Sequence, residues 1–307
     1  MSRWGKRVFF VPVLEYLPMN LPTWLIYTLV TALVSVPFYF SIRKLEHGSE
    51  ELERTVRRLI WIPGIVAFGY RMFTNQGLDD IGFGIGTLPW LFLAALLTPI
   101  LMEVFVIFFA ARFRLAQLDP TLIQFRKGQV HLNKAVQLLL GNDTQSYAKF
   151  FLNLLVTLCV GAAAMLLFAL AEEFGWRGFL QTPLIQMFGL GSGLMFGGLL
   201  WGLWYAPLIL KGYKFPAYPR LGAFMYWPVF TICLAIIAGW LYWQSGSIWV
   251  PAIFNASVKV SSKVTFIALG DAGDSQRVRI VWLWLWACIA MFCLALWQVG
   301  GIQAAGG

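Results

Sequence analysis

The sequence has little charge. Only 12% of its 307 residues are Asp, Glu, Lys or Arg, whereas a soluble globular chain carries about 25%, and this shortfall excludes a soluble domain. Histidine is scarcer still: His47 and His131 are the only two, and both sit in polar stretches. The four cysteines, Cys159, Cys233, Cys288 and Cys293, form no CxxC pair and all fall in apolar runs. That arrangement excludes a disulfide framework and a thiolate metal site. No internal repeat with broken helices in matching halves is visible, which argues against a transporter. The opening segment MSRWGKRVFFVPVLEYLPMN lacks a compact apolar stretch followed by a small-residue cleavage site, so it is expected to stay on the chain as an interfacial segment.

Apolar residues fill the space that charge leaves: the chain is 59% hydrophobic, with a mean hydropathy of +0.72. Blocks near 21–42, 88–111, 150–173, 186–210, 221–243, 248–270 and 278–299 each match the roughly 20 residues that cross a bilayer as a helix. A shorter block at 59–73 contains Pro63 and Gly64 and has the length of a re-entrant or interfacial piece. The expected fold is therefore an all-α polytopic membrane bundle of about 7–8 transmembrane helices. The longest polar segment, Arg112–Lys149, mixes charges with leucines and reads as a surface helix.

The net charge of +9 belongs to loops. Arg112, Arg114, Arg126, Lys127, Lys134 and Lys149 follow one span, Lys211, Lys214 and Arg220 another, and Arg277 and Arg279 a third, which places these three connections in the cytoplasm. A basic excess of this kind faces lipid rather than nucleic acid.

An ionisable group in a membrane helix is costly, so each one is a candidate site. The strongest cluster is Glu172-Glu173-Phe174-Gly175-Trp176-Arg177-Gly178, at the end of a helix that has been apolar for about twenty residues. The two carboxylates point about 100° apart on a helix, so at least one faces inward and needs a cation, a metal or a proton. The plain alternative is a helix end that reaches the headgroups, with Arg177 closing an i,i+4 ion pair to Glu173.

These residues resemble the first signature of the CPBP family, the intramembrane proteases that include the CAAX prenyl protease of the Rce1 type and bacterial abortive-infection proteins. Two further segments match in order. Trp201-Gly-Leu-Trp204-Tyr205-Ala-Pro207 is similar to the second signature, and Gly246-Ser247-Ile248-Trp249-Val-Pro251-Ala252-Ile-Phe-Asn255 to the third. Asp80-Ile-Gly-Phe-Gly resembles a recurrent segment upstream of the core. The resemblance implies a CPBP-like core over 75–270, preceded by first helices over 1–74 and followed by a last helix and tail over 271–307. The family's site would assign Glu172, Glu173 and Arg177 as catalytic, with Glu172 the base that activates water.

The sequence departs from the family where the metal would bind. Tyr205 stands at the second signature's histidine position, Asn255 at the third's, and Lys259 at the position of the asparagine read as oxyanion stabiliser. Phenol and amide are poor substitutes for imidazole, and a hydrolytic zinc site needs three protein ligands and an open position. The expectation is no metal and no cofactor, with Lys259 supplying the positive charge; the alternative is that Lys259 and Lys263 snorkel to the interface. Asn255, Lys259 and Lys263 recur at i, i+4 and i+8 and share a helix face that is expected to point at the glutamates.

The leading function is thus a proteolytically inactive CPBP homologue in the bacterial inner membrane, a pseudoenzyme acting as a binding or scaffold subunit of a membrane complex. Its expected partners are the bilayer and either a transmembrane protein or a hydrophobic, prenyl-like ligand. The alternative is an active CAAX-type endopeptidase using Glu172 as general base, with zinc only in that case. Sidedness poses a conflict: the prenyl-protease site opens to the cytosol, whereas the charge bias puts Glu172 and Glu173 near the far end of their helix. In the run Trp282, Trp284, Trp286, the first and third share a face and Trp284 points nearly opposite; such a face packs in lipid or docks a hydrophobic partner.

Overall fold

A computed structural model describes residues 21–46 and 48–305. His47 and the opening twenty residues, which the sequence assigns to an interfacial segment, lie outside the described residues. The helices are α1 (Thr23–Lys44), α2 (Glu50–Leu59), α3 (Ile62–Phe73), α4 (Trp90–Arg112), α5 (Lys134–Leu140), α6 (Tyr147–Gly175), α7 (Gln181–Phe188), α8 (Leu190–Trp204), α9 (Ala206–Leu210), α10 (Pro219–Leu221), α11 (Trp227–Ser245), α12 (Trp249–Leu269) and α13 (Gln276–Ala305). Two π-helical turns, Trp176–Leu180 and Gly222–Tyr226, run without a break into α7 and α11.

Among the described residues, six helices are long and apolar enough to cross a membrane: Thr23–Lys44, Trp90–Arg112, Tyr147–Phe188, Pro219–Ser245, Trp249–Gly273 and Gln276–Trp297. The predicted span at 186–210 is instead interrupted. Its helix α8 has 15 residues and ends at Tyr205, because Pro207 has no N–H with which to continue the ladder. The doubtful block at 59–73 yields α3, whose 12 residues extend about 18 Å, short of the roughly 30 Å hydrocarbon core.

The bundle is built around α11. Pro219–Ser245 is 72% buried, against 22% for Thr23–Lys44 and for Tyr147–Phe188, which present leucine and valine side chains such as Leu33 and Val160 to lipid. Between α8 and α11 the backbones touch. A Cβ on Gly198 would meet Ile232 Cα at 2.5 Å, and one on Gly202 would meet Thr231 Oγ1 at 2.5 Å, so this Gly-x-x-x-Gly face permits the approach by lacking side chains.

Arg112–Lys149 is not the surface helix read from the sequence. Strands β1 (Ile123–Arg126), β2 (Gln129–Leu132) and β3 (Thr144–Ser146) form an antiparallel sheet in the order β1-β2-β3, with α5 between the last two. Lys127 (φ 47°) and Gly128 (φ 81°) supply the two positive-φ residues of a hairpin turn whose twist matches its strands. The inner face, with Ile123, Val130 and Leu132, packs on Val136, Leu140, Phe150 and Ala268 at the end of the bundle.

At the opposite end, the loop between α3 and α4 caps α12. Ile248 N donates to Gly82 O (3.0 Å), Ser247 Oγ to Gly84 O (2.6 Å) and Trp249 Nε1 to Phe83 O (2.9 Å). Arg71, buried on α3, forks onto Asp80 at 2.7 and 2.8 Å and also donates to Gly77 O and Gly178 O. The Asp80-Ile-Gly-Phe-Gly segment thus ties the first and third motifs together.

Candidate functional site

Three local features deliver the site. The π-helical turn after Gly175 inserts an extra residue per turn into the α6–α7 rod and buries Trp176 through Leu180, so Arg177 faces the bundle interior. The helix break at Pro207 leaves Tyr205 as the C-cap of α8, buried in the bundle. On α12, Asn255 and Lys259 lie one turn apart on the face that packs against α6.

The six side chains singled out from the sequence meet in one cluster. Tyr205 donates its hydroxyl to Glu172 Oε1 (2.5 Å), and Lys259 Nζ lies 2.9 Å from Glu172 Oε2. Asn255 Nδ2 donates to both carboxylates, at 3.0 Å to Glu172 Oε2 and 2.7 Å to Glu173 Oε1. Arg177 Nη1 closes an ion pair to Glu173 Oε1 at 3.1 Å, and its guanidinium lies over the Trp201 ring, 4.5 Å from the centroid. Lys259 Nζ also donates to the Tyr205 hydroxyl at 3.3 Å. Glu172 and Glu173 are 0% exposed, whereas 17% of the Lys259 side chain is exposed, so Lys259 marks the mouth.

The charges cancel: two carboxylates face one ammonium and one guanidinium. Asparagine suits its place because a single amide nitrogen carries two hydrogens, one for each carboxylate. An imidazole nitrogen carries one hydrogen at most. Two polar atoms in the cluster have no hydrogen-bond partner, Glu173 Oε2 and Arg177 Nη2. Among the described residues, no group of three or more His, Cys, Asp and Glu side chains is placed to hold a metal ion. His131 sits in β2 of the surface sheet, its Nδ1 3.1 Å from Thr144 Oγ1.

Lys263, expected to share the inward face with Lys259, turns away. It pairs with Glu53 of α2 at 3.2 Å with most of its side chain exposed, because α12 has by then reached the end of the bundle where α2 lies. This pair also locates the opening. Tyr205 leads through α9 into the loop 211–218, where Lys211 donates to Arg43 O at the end of α1 (3.1 Å). The polar path from Glu172 therefore runs to the end of the bundle that carries the basic loops. The first turn of α6 packs in the sheet layer, and its 29 residues extend about 43 Å, longer than the roughly 30 Å hydrocarbon core.

A second buried acid lies outside the motifs. Glu103 of α4 accepts from Ser262 Oγ (2.7 Å) and Trp282 Nε1 (2.8 Å), while its Oε2 has no partner. It is the only acidic residue between 88 and 111, a signal already present in the sequence. Trp282 and Trp286 are buried against Phe230, and Trp284 is exposed, as the helical phase requires.

The six helices long and apolar enough to cross a membrane among the described residues make this bundle that of an integral membrane protein, with a buried, charge-compensated diglutamate in its interior. Residues 152–260 match the family model described as type II CAAX prenyl endopeptidase Rce1-like, so this chain carries a CPBP-family, CAAX protease-like domain that spans all three motifs. No curated protein matches the sequence closely enough to count as a relative.

Proposed function

We propose that this member of a membrane protease family binds rather than cleaves: it is a pseudoenzyme that holds a prenyl-like or transmembrane ligand as a scaffold subunit of a membrane complex. The observation that carries this reading is the Lys259 ammonium 2.9 Å from Glu172 Oε2. A general base must offer a lone pair to water, and three of the four lone-pair positions of Glu172 are already taken, by Tyr205 on Oε1 and by Asn255 and Lys259 on Oε2. Zinc does not fit this donor set. It needs three protein ligands, and here two carboxylates are ringed by N–H and O–H donors, two of them on cations. Retention of the glutamates follows from stability, since removing one partner of a buried ion pair costs about 3–5 kcal/mol.

One observation favours the other reading, an active endopeptidase using Glu172 as general base. Glu173 Oε2 is buried and unpartnered, within a match to a family described as an endopeptidase. The purified chain, incubated with a prenylated peptide ending in a CAAX sequence, separates the two. We expect no cleavage above that of a Glu172→Gln variant and less than one equivalent of tightly bound zinc. Cleavage that disappears in Glu172→Gln would establish the enzyme instead.

A further inference from the structure

The rim of the cluster carries cations that its own ion pairs do not use. Lys214 lies in the loop between α9 and α10 with its ammonium over two rings, 4.8 Å from the centroid of Trp227 and 5.6 Å from that of Tyr213. Among the described residues this ammonium makes no ion pair and no hydrogen bond to a side chain. Trp227 in turn packs edge-on to Tyr205, centroid to centroid 5.4 Å, so Lys214 stands directly outside the diglutamate cluster. Arg279 fixes the loop from α13: its guanidinium stacks on Phe266 at 3.6 Å and Phe215 at 4.6 Å, and Nη2 donates to Lys214 O at 2.9 Å.

The neighbouring charges press on one another. Burial first, and then the charges of Lys259, Arg279 and Lys263, push the Lys214 ammonium down to about 7, against only a small opposing pull from Glu53. On this rim Lys263 is engaged by Glu53 and the neighbouring Lys259 by Glu172, which leaves the Lys214 ammonium with no acid of its own among the described residues. Such an arrangement lacks an anion. The rim lies where the second half of α12, the start of α13 and the 211–218 loop come together, beside the ends of the candidate spans Pro219–Ser245 and Gln276–Trp297. Exposed apolar side chains adjoin it in the chain: Phe224 and Met225 follow the loop, Ile267 lies one turn after Lys263, and Ile280 follows Arg279.

We propose that this rim is a binding site for the phosphate of an anionic lipid, with Lys214 and Lys263 as the principal contacts and the acyl chains lying along the exposed apolar residues. A phosphate offers several acceptor oxygens to several ammonium groups, which suits point-charge lysines better than a single carboxylate does. The inference rests on the rim alone and holds whether or not the diglutamate site cleaves.

The test is thermal unfolding of the purified full-length chain in detergent, titrated with short-chain phosphatidic acid, short-chain phosphatidylcholine, inorganic phosphate, or a peptide with a free carboxylate end. Phosphatidic acid should raise the melting temperature saturably and the other three should not match it. Lys214→Met should weaken the apparent affinity about five- to tenfold, the share expected of one lysine at a membrane surface, while the exposed Lys211→Met should leave it unchanged. Lys214→Met melting like the parent without lipid will show that its fold is intact, and Lys263→Met gives an independent second variant. A full response to phosphatidylcholine would reduce the site to acyl packing. An equal response to inorganic phosphate would remove the lipid from the assignment, an equal response to the peptide would replace phosphate by carboxylate, and no dependence on Lys214 or Lys263 would overturn the proposal.

Discussion

The two buried carboxylate sites of this bundle, one at Glu172 and Glu173 and one at Glu103, face the same physical problem and meet it differently. The diglutamate is held by ions, with Lys259 on one carboxylate, Arg177 on the other and the Asn255 amide across both. Glu103 is held by neutral donors alone, Ser262 and Trp282, and among the described residues has no basic partner. Both sit against α12, which supplies Asn255 and Lys259 to one and Ser262 to the other. The comparison teaches that burial does not by itself demand a counter-charge. Two adjacent carboxyl groups cannot both stay ionised among neutral donors alone, so the cations mark the place where a second negative charge is fixed beside the first.

That contrast breaks most readily at Lys259. Lys259→Ala leaves Glu172 buried beside Glu173 without its cation, and the expected loss is about 3–5 kcal/mol, read as a fall in melting temperature and yield of the detergent-purified protein. Combining Lys259→Met with Glu172→Gln removes both charges together and should recover much of that loss, because the pair is coupled. Additive effects of the two changes would show that Lys259 does not compensate Glu172.

Asn255 comes next in expected size. Asn255→Ala withdraws one donor from each carboxylate, and leaving buried acceptors unsatisfied costs about 1–3 kcal/mol. Asn255→His, which introduces the residue type that the family resemblance implies here, should not repair the defect: no single imidazole nitrogen can donate to both Glu172 Oε2 and Glu173 Oε1. A histidine variant as stable as the parent, with a newly acquired tightly bound zinc, would show that the cluster can still revert to a metal centre.

How much of this was legible in the sequence follows the same division. The ionic site was readable because its residues fall in three spaced motifs and because Lys259 and two adjacent glutamates interrupt long apolar runs. Glu103 was as visible by the rule that an acid within a span needs a partner, yet it belongs to no motif, and its partners Ser262 and Trp282 lie 159 and 179 residues away. The helix break at Tyr205 was signalled by Pro207, but the apolar content of 186–210 continues through it, so composition alone reads one span where backbone chemistry makes two pieces. The sheet at 123–146 was hidden because Lys127-Gly128 is a weaker turn signal than Asn-Gly, and the leucines of α5 mask the alternation in β1 and β2. Lys263 shares its helical phase with Lys259, but phase does not fix the partner: one turn further along α12 the side chain is exposed and pairs with Glu53 of α2.

The smallest effect is expected at the neutral site, and it sharpens the comparison most. Glu103→Gln keeps the side-chain length and a carbonyl oxygen that can accept from both Ser262 Oγ and Trp282 Nε1, and no cation is left unpaired by the change. Its amide nitrogen would take the position of Oε2, which has no hydrogen-bond partner in the parent. Loss and gain should nearly balance, so the melting temperature should move by the equivalent of less than about 1 kcal/mol, within the range of an ordinary single hydrogen bond. Glu172→Gln, the same chemical change at the ionic site, strands the Lys259 ammonium and should cost several times more. Measured side by side in one detergent, a large loss at Glu103 with a small one at Glu172 would invert the assignment of which carboxylate is held by charge.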